Sequence, residues 1–280
     1  MITAIMNKIG LALGGGGARG LAHIPLLEVF DEMSIQPHCI SGTSAGAIVG
    51  ALYASGKPAS EIRSWVDELI VKEGTSIKGF FQKRHALKQF EFFDLSFQQS
   101  GLLKGKRFIE VLEEELGVTT FEALEIPLRV VASDYWKSRQ VVFKSGQLLP
   151  AIRASMGVPG VFTPIEVNQH LLVDGGGVNP VPHDILTDCD VVIAIDVLGF
   201  PAVSKPKAPG LFQSVTGMFD IMQNTIIDQR LKANPPNLYL KPDLRGLDAF
   251  DFHKADAIYE QTESAVQELQ HWLMKLLEAL

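Results

Sequence analysis

Residues 39–54 read Cys39-Ile40-Ser41-Gly42-Thr43-Ser44-Ala45-Gly46-Ala47-Ile48-Val49-Gly50-Ala51-Leu52-Tyr53-Ala54. A short strand ends at Ile40-Ser41, and from Ala45 to Ala54 almost every residue is apolar, as in a helix buried on all sides. Between them Gly42 and Gly46 bracket Ser44 in a G-x-S-x-G pattern, and small residues at both places let the strand turn sharply into the helix. Such a turn presents the serine beside the helix N-terminus, where free N–H groups and the helix dipole favour an oxyanion. A plainer reading makes Ser44 a helix N-cap; the strand before it and the helix after it favour a nucleophile.

Upstream, Ile9 to Leu13 reads as a buried strand that runs into a glycine turn from Gly14, and Leu21, Ile24, Leu27 and Phe30 then step at helical spacing. Pro25 should start or kink that helix. Gly15, Gly17 and Gly20 also satisfy the dinucleotide pattern G-x-G-x-x-G. That pattern needs an acidic residue at the end of the second strand, about 20 residues on. Here the second strand runs into the serine turn, and Asp31 and Glu32 come too early, so no nucleotide cofactor is expected. Gly15, Gly16 and Gly17 instead make an oxyanion loop of backbone N–H groups beside Ser44. Arg19 either holds this loop or faces an anionic head group.

Downstream, Asp174-Gly175-Gly176-Gly177 follows a short strand, Leu171 to Val173. Alone this is a turn signal. In a desolvated site, flanked by Gly175 and Gly176, Asp174 can accept a serine proton as the alkoxide attacks.

Further strands are expected at Leu128 to Ala132, Gln140 to Phe143 and Val191 to Val197, with helices through Ile62 to Ile70 and Val266 to Leu280. Strands alternating with helices imply an α/β fold, a three-layer α/β/α sandwich with a mostly parallel central sheet. One domain over residues 1–280 is expected, its motif-bearing core at about 9–200 and a helical segment at about 210–280 packed on it.

With 46% hydrophobic and 20% charged residues the composition is that of a globular chain, not a disordered or fibrous one. The formal charge of -7 argues against nucleic acid as a partner. Cys39 and Cys189 are too few for a disulfide framework and point to a reducing, cytoplasmic setting. No run reaches the roughly 20 apolar residues of a membrane span, and Ile9 to Leu13 is read as a strand, not a cleaved leader. No metal is expected, because no His/Asp/Glu cluster has ligand spacing.

In this order, Gly-Gly-Gly-Ala-Arg-Gly, Gly-Thr-Ser-Ala-Gly and Asp-Gly-Gly resemble the bacterial patatin-like phospholipases over residues 9 to 200. The likeness extends to Arg153-Ala154-Ser155-Met156 and Val158-Pro159-Gly160-Val161-Phe162. It implies an α/β/α fold, a Ser-Asp dyad without histidine, and hydrolysis of acyl esters in phospholipids or other lipids. Ser44 is then the nucleophile, Asp174 the base, and Gly15, Gly16 and Gly17 the oxyanion loop with Arg19 beside it. Two rivals stay open: a Ser-His-Asp esterase completed by His183, His253 or His271, and a regulator that keeps the fold without catalysis.

Residues 78–107 hold six phenylalanines and seven basic side chains against two acidic ones. Two readings of this window stand side by side: peripheral contact with an anionic bilayer, and a core or acyl pocket with solvated cations outside it.

Overall fold

The computed structural model describes residues 8–72, 108–159, 161–199 and 210–279. The 78–107 window therefore lies outside the described residues. In chain order the elements are β1 (Ile9–Leu13), α1 (His23–Glu32), β2 (Cys39–Thr43), α2 (Ala45–Ala54), α3 (Ala59–Lys72) and α4 (108–116). After them come β3 (Leu128–Asp134), β4 (Arg139–Phe143), α5 (Leu148–Ser155), β5 (Ile165–Val167), β6 (His170–Asp174) and β7 (Val191–Ile195). The last are α6 (Leu211–Ala233), β8 (Leu238–Leu240) and α7 (Ala255–Glu278).

One eight-stranded sheet runs β5-β6-β3-β2-β1-β7-β8, with β4 also on β3. The β1–β2, β2–β3, β1–β7 and β7–β8 pairs are parallel, and β4, β5 and β6 add antiparallel pairs at one end. Strand alternation splits the core in two. Leu11, Leu13, Ile193 and Ile195 face one cluster, whereas Ala12 and Ala194 face the other with Val181, Leu186 and Ile227. The first cluster is roofed by α1, α2, α3, α5 and α7; the second receives Ile227 of α6. Helices on both faces of a mostly parallel sheet make the expected sandwich.

The apolar run of α2 is explained by its surroundings. Ala47, Val49, Ala51, Leu52, Tyr53 and Ala54 are all buried, since the helix lies on β2 and β3 beneath its neighbours. Pro25 falls in the first turn of α1, where its missing N–H has no helical partner to lose, and a short 3₁₀ turn (Gly17–Ala22) leads into that helix. The strand expected to reach Val197 stops at Ile195, where the Asp196 carboxylate turns back to accept the Leu198 N–H at 2.9 Å.

Candidate active site

Ser44 occupies the single residue between β2 and α2 and takes φ 54°, ψ -119°, a conformation that is strained for any residue with a Cβ. The glycines around it make the turn possible. A Cβ on Gly46 would stand 2.1 Å from the Leu13 carbonyl oxygen, and one on Gly42 would stand 2.6 Å from the Gly46 carbonyl oxygen. The first turn of α2 is thus pressed against the end of β1, and no side chain fits between them.

Asp174 arrives by a route that spacing alone does not reveal. Strand β3 pairs with β4 along residues 130–134, which occupies one of its edges. Its other edge is shared: β2 pairs up to Thr43 opposite Val131, and β6, running the other way, ends with Asp174 opposite Ala132. The two strands abut end to end, so Thr43, the residue before Ser44, and Asp174 face adjoining positions on β3, about 3.3 Å apart along the strand. Gly175 allows the approach, since a Cβ there would stand 2.3 Å from the Val131 carbonyl oxygen and 3.1 Å from Thr43 Cγ2.

Both side chains are nearly sealed from solvent. Burial pushes the Asp174 carboxyl up to about 6, against the pull of the nearby Ser44 hydroxyl and of the Gly176 N–H. Oδ1 accepts that N–H at 2.7 Å, whereas Oδ2 is buried without a hydrogen-bond partner among the described residues. The Ser44 hydroxyl is thus near the carboxylate without a formed hydrogen bond to it.

The end of α5 holds both backbones. Ser155 Oγ accepts the Ser44 N–H at 2.8 Å, and the Gly157 carbonyl accepts the Asp174 N–H at 3.0 Å. Ser155 is fully buried. Its part in the site is visible only in the fold; the 153–162 stretch of sequence flags the region without assigning it a task. Asn179, just past the Asp174 turn, accepts the Thr43 hydroxyl on its carbonyl at 2.8 Å and so ties down the residue before Ser44.

In the glycine loop the N–H groups divide. That of Gly14 goes to the Ile195 carbonyl and that of Gly15 to the Pro180 carbonyl, both at 2.9 Å. Gly15 is therefore no oxyanion donor in this geometry; it supplies closeness, since a Cβ there would stand 3.3 Å from Ser44 Cβ. The N–H groups of Gly16, Gly17 and Ala45 have no partner among the described residues. Gly17 sits at φ 60°, and a Cβ on it would stand 2.3 Å from the Ala249 carbonyl oxygen.

Arg19 resolves toward the first of its two readings. It is buried; Nε donates to the Gly16 carbonyl at 3.3 Å, one terminal nitrogen to the Leu198 carbonyl, and the other lies 3.5 Å from Asp220. With every nitrogen committed, it braces the loop and offers nothing to a head group. His23, which no sequence motif marks, does the same two residues earlier in the loop. Its Nε2 faces the Gly14 carbonyl at 2.8 Å, so the proton sits on that nitrogen. Burial drives its pKa down to about 4, which keeps the ring neutral.

The candidate third members of a triad are placed elsewhere. Both ring nitrogens of His183 face backbone carbonyls, of Val181 and Asn234, each at 2.9 Å. His253 and His271 are exposed. His170 is paired with Asp134 at 2.5 Å. Among the described residues no three His, Cys, Asp or Glu converge as metal ligands.

Residues 11–187 match the family model described as patatin-like phospholipase. An uncharacterized NTE family protein of Mycobacterium tuberculosis is 31% identical over 225 residues, which cover 76% of this chain and 58% of the relative. Neuropathy target esterase sws of Drosophila melanogaster is 32% identical over 199 residues, covering 68% of this chain and 13% of that protein. The chain thus spans only part of the length of these relatives. Among solved structures, VipD from Legionella pneumophila superposes with a TM-score of 0.53 at 12% identity, covering 95% of this chain and 67% of VipD, a likeness of fold. With more than half of its length matched by the family model, the chain belongs to the patatin-like phospholipase family.

Proposed function

We propose that the protein hydrolyses acyl esters of phospholipids or related lipids through a Ser44–Asp174 dyad. The observation that carries this reading is the end-to-end meeting of β2 and β6, which brings a strained serine to a buried carboxylate whose Oδ2 lacks a partner. Family membership and the esterase among the relatives supply the substrate class.

Asp174 Oδ2 takes the Ser44 hydroxyl proton as Oγ attacks the ester carbonyl carbon. The tetrahedral oxyanion is held by the N–H groups of Gly16, Gly17 and Ala45. Collapse expels the alcohol, which takes the proton back from Asp174. Water then attacks the acyl-serine, passes a proton to Asp174, and the fatty acid leaves as Ser44 regains its proton. A carboxylate with pKa near 6 is a far better base at neutral pH than one near 4.

The test is hydrolysis of a short p-nitrophenyl ester by wild type, Ser44→Ala and Asp174→Asn, with fluorophosphonate labelling of each. Each variant should lose roughly 10³-fold or more in kcat/KM, and only chains retaining Ser44 should label. Near-wild-type turnover in either variant overturns the dyad. A wild type that neither labels nor turns over points instead to a non-catalytic regulator. Loss of activity on replacing His183, His253 or His271 with the fold intact would restore the triad.

A further inference from the structure

Helix α6 is amphipathic in an unusual sense. Its inner side touches both halves of the site: Asp220 pairs with Arg19 under the glycine loop, and Gln223 Nε2 stands 2.1 Å from where a Cβ on Gly176 would be, beside Asp174. Further along, Arg230 reaches Asp184 at 2.5 Å and the Val178 carbonyl at 3.0 Å, past the same aspartate turn. Its outer side carries Val215, Met218, Ile221 and Met222, which are 63%, 57%, 57% and 54% exposed.

These four stand at i, i+3, i+6 and i+7, on one stripe about 10 Å long. From 211 to 227 the helix has a single ionisable side chain, Asp220, and it is paired inward with Arg19. Beyond Ile227 the same outer face turns polar, with Asp228, Gln229 and Lys232 exposed. The apolar stretch is therefore confined to the part of the helix that rides on the site. Isolated exposed apolar residues are ordinary, but a stripe of four on one helix face is not.

We infer that this stripe is the surface by which the protein docks on a lipid aggregate, bringing the Ser44 site close to the substrate's own layer. The inference rests on the lipid-ester reading above. A lipid surface is the occupant because the stripe is uncharged, includes two flexible methionines, matches the shallow depth to which interfacial helices insert, and is continuous with the residues that hold the two catalytic turns. With no charge on the stripe, docking needs no anionic lipid and withstands salt.

The experiment is flotation with phosphatidylcholine vesicles at low and high salt, together with hydrolysis of vesicle phospholipid and of a soluble short ester. The proteins compared are wild type, Ser44→Ala and the double variant Met218→Gln/Met222→Gln. Both substitutions are exposed and helix-compatible, so folding is preserved and circular dichroism verifies it. Wild type and Ser44→Ala should float equally at both salt concentrations. The double variant should lose at least 10-fold in bound fraction and in vesicle hydrolysis, with soluble-ester turnover unchanged.

Equal flotation of the double variant overturns the inference, as does flotation that demands anionic lipid and vanishes in salt. Sedimentation showing that the double substitution turns a dimer into a monomer also overturns it, because the stripe would then be covered by a second copy. Wild type that floats without hydrolysing either substrate sinks the proposed function and leaves docking standing; the reverse outcome sinks docking alone.

Discussion

Asp174 is held in a place that disfavours its charge, and that has a measurable signature. Its carboxyl titrates near 6 in the fold and near 3.9 in an unfolded chain. The native state therefore binds the extra proton between these values, and stability falls as pH rises from about 4 to about 6. Above pH 6 the penalty is constant, on the order of 3 kcal/mol. Asp174→Asn should accordingly be inactive yet melt a few degrees above wild type at pH 8, with the gap closing by pH 4; thermal unfolding at the two pH values reads this directly. Wild-type kcat/KM should rise with pH and reach half its plateau near pH 6. Ser155→Ala removes the acceptor of the Ser44 N–H. It should lower kcat about 10-fold or more with KM little changed, and Ser155→Thr, which restores the hydroxyl, should recover part of it; a loss confined to KM would deny Ser155 this role. Ser44 and Asp174 announce themselves because each sits in a glycine-flanked motif. Ser155 and His23 do not, because each acts through one hydrogen bond to the main chain of a residue far away in sequence or placed by the fold.

At the scale of elements, the tight packing of α2 against β1 governs how much change the site tolerates. In Gly46→Ala the new methyl would lie 2.1 Å from a backbone oxygen that cannot move without opening the sheet. A destabilisation of several kcal/mol is expected in urea unfolding, well beyond the helix-propensity gain of about 1 kcal/mol. Gly217, on α6, meets nothing within 4 Å, so Gly217→Ala should stabilise by about 0.5–1 kcal/mol. Strands β1 and β7 and helix α2 are legible in the sequence because burial on both faces leaves unbroken apolar runs. Strands β5 and β8, three residues each, and helix α5 are too short for periodicity to register. The shared edge of β3 is illegible in principle, since no local pattern records which strand ends where another begins.

Over the whole molecule, α7 closes the larger core. Ile258, Ala265, Leu269 and Leu273 are buried where this helix lies on α1 and on the 3₁₀ turn that continues the glycine loop. Leu273→Ala should cost about 2–5 kcal/mol in urea unfolding. Activity per folded molecule at 20 °C should hold, because Leu273 lies outside the site. The step of three and four residues through Val266, Leu269, Leu273 and Leu276 is enough to foresee a docked helix here. The outward apolar stripe of α6 is not foreseeable in that way, since a sequence does not say which side of a helix the sheet takes. Among the described residues no helix is long and apolar enough to cross a membrane.

The shared edge of β3 also bears on the birth of the protein. Ser44 emerges from the ribosome about 130 residues before Asp174, which at ordinary rates of synthesis is some 7–25 seconds. During that interval Ser44 has no Asp174 beside it, and β1 still lacks β7, its parallel neighbour. On the proposed mechanism a nascent chain therefore lacks a working dyad, which is completed only when β6 seats against β3.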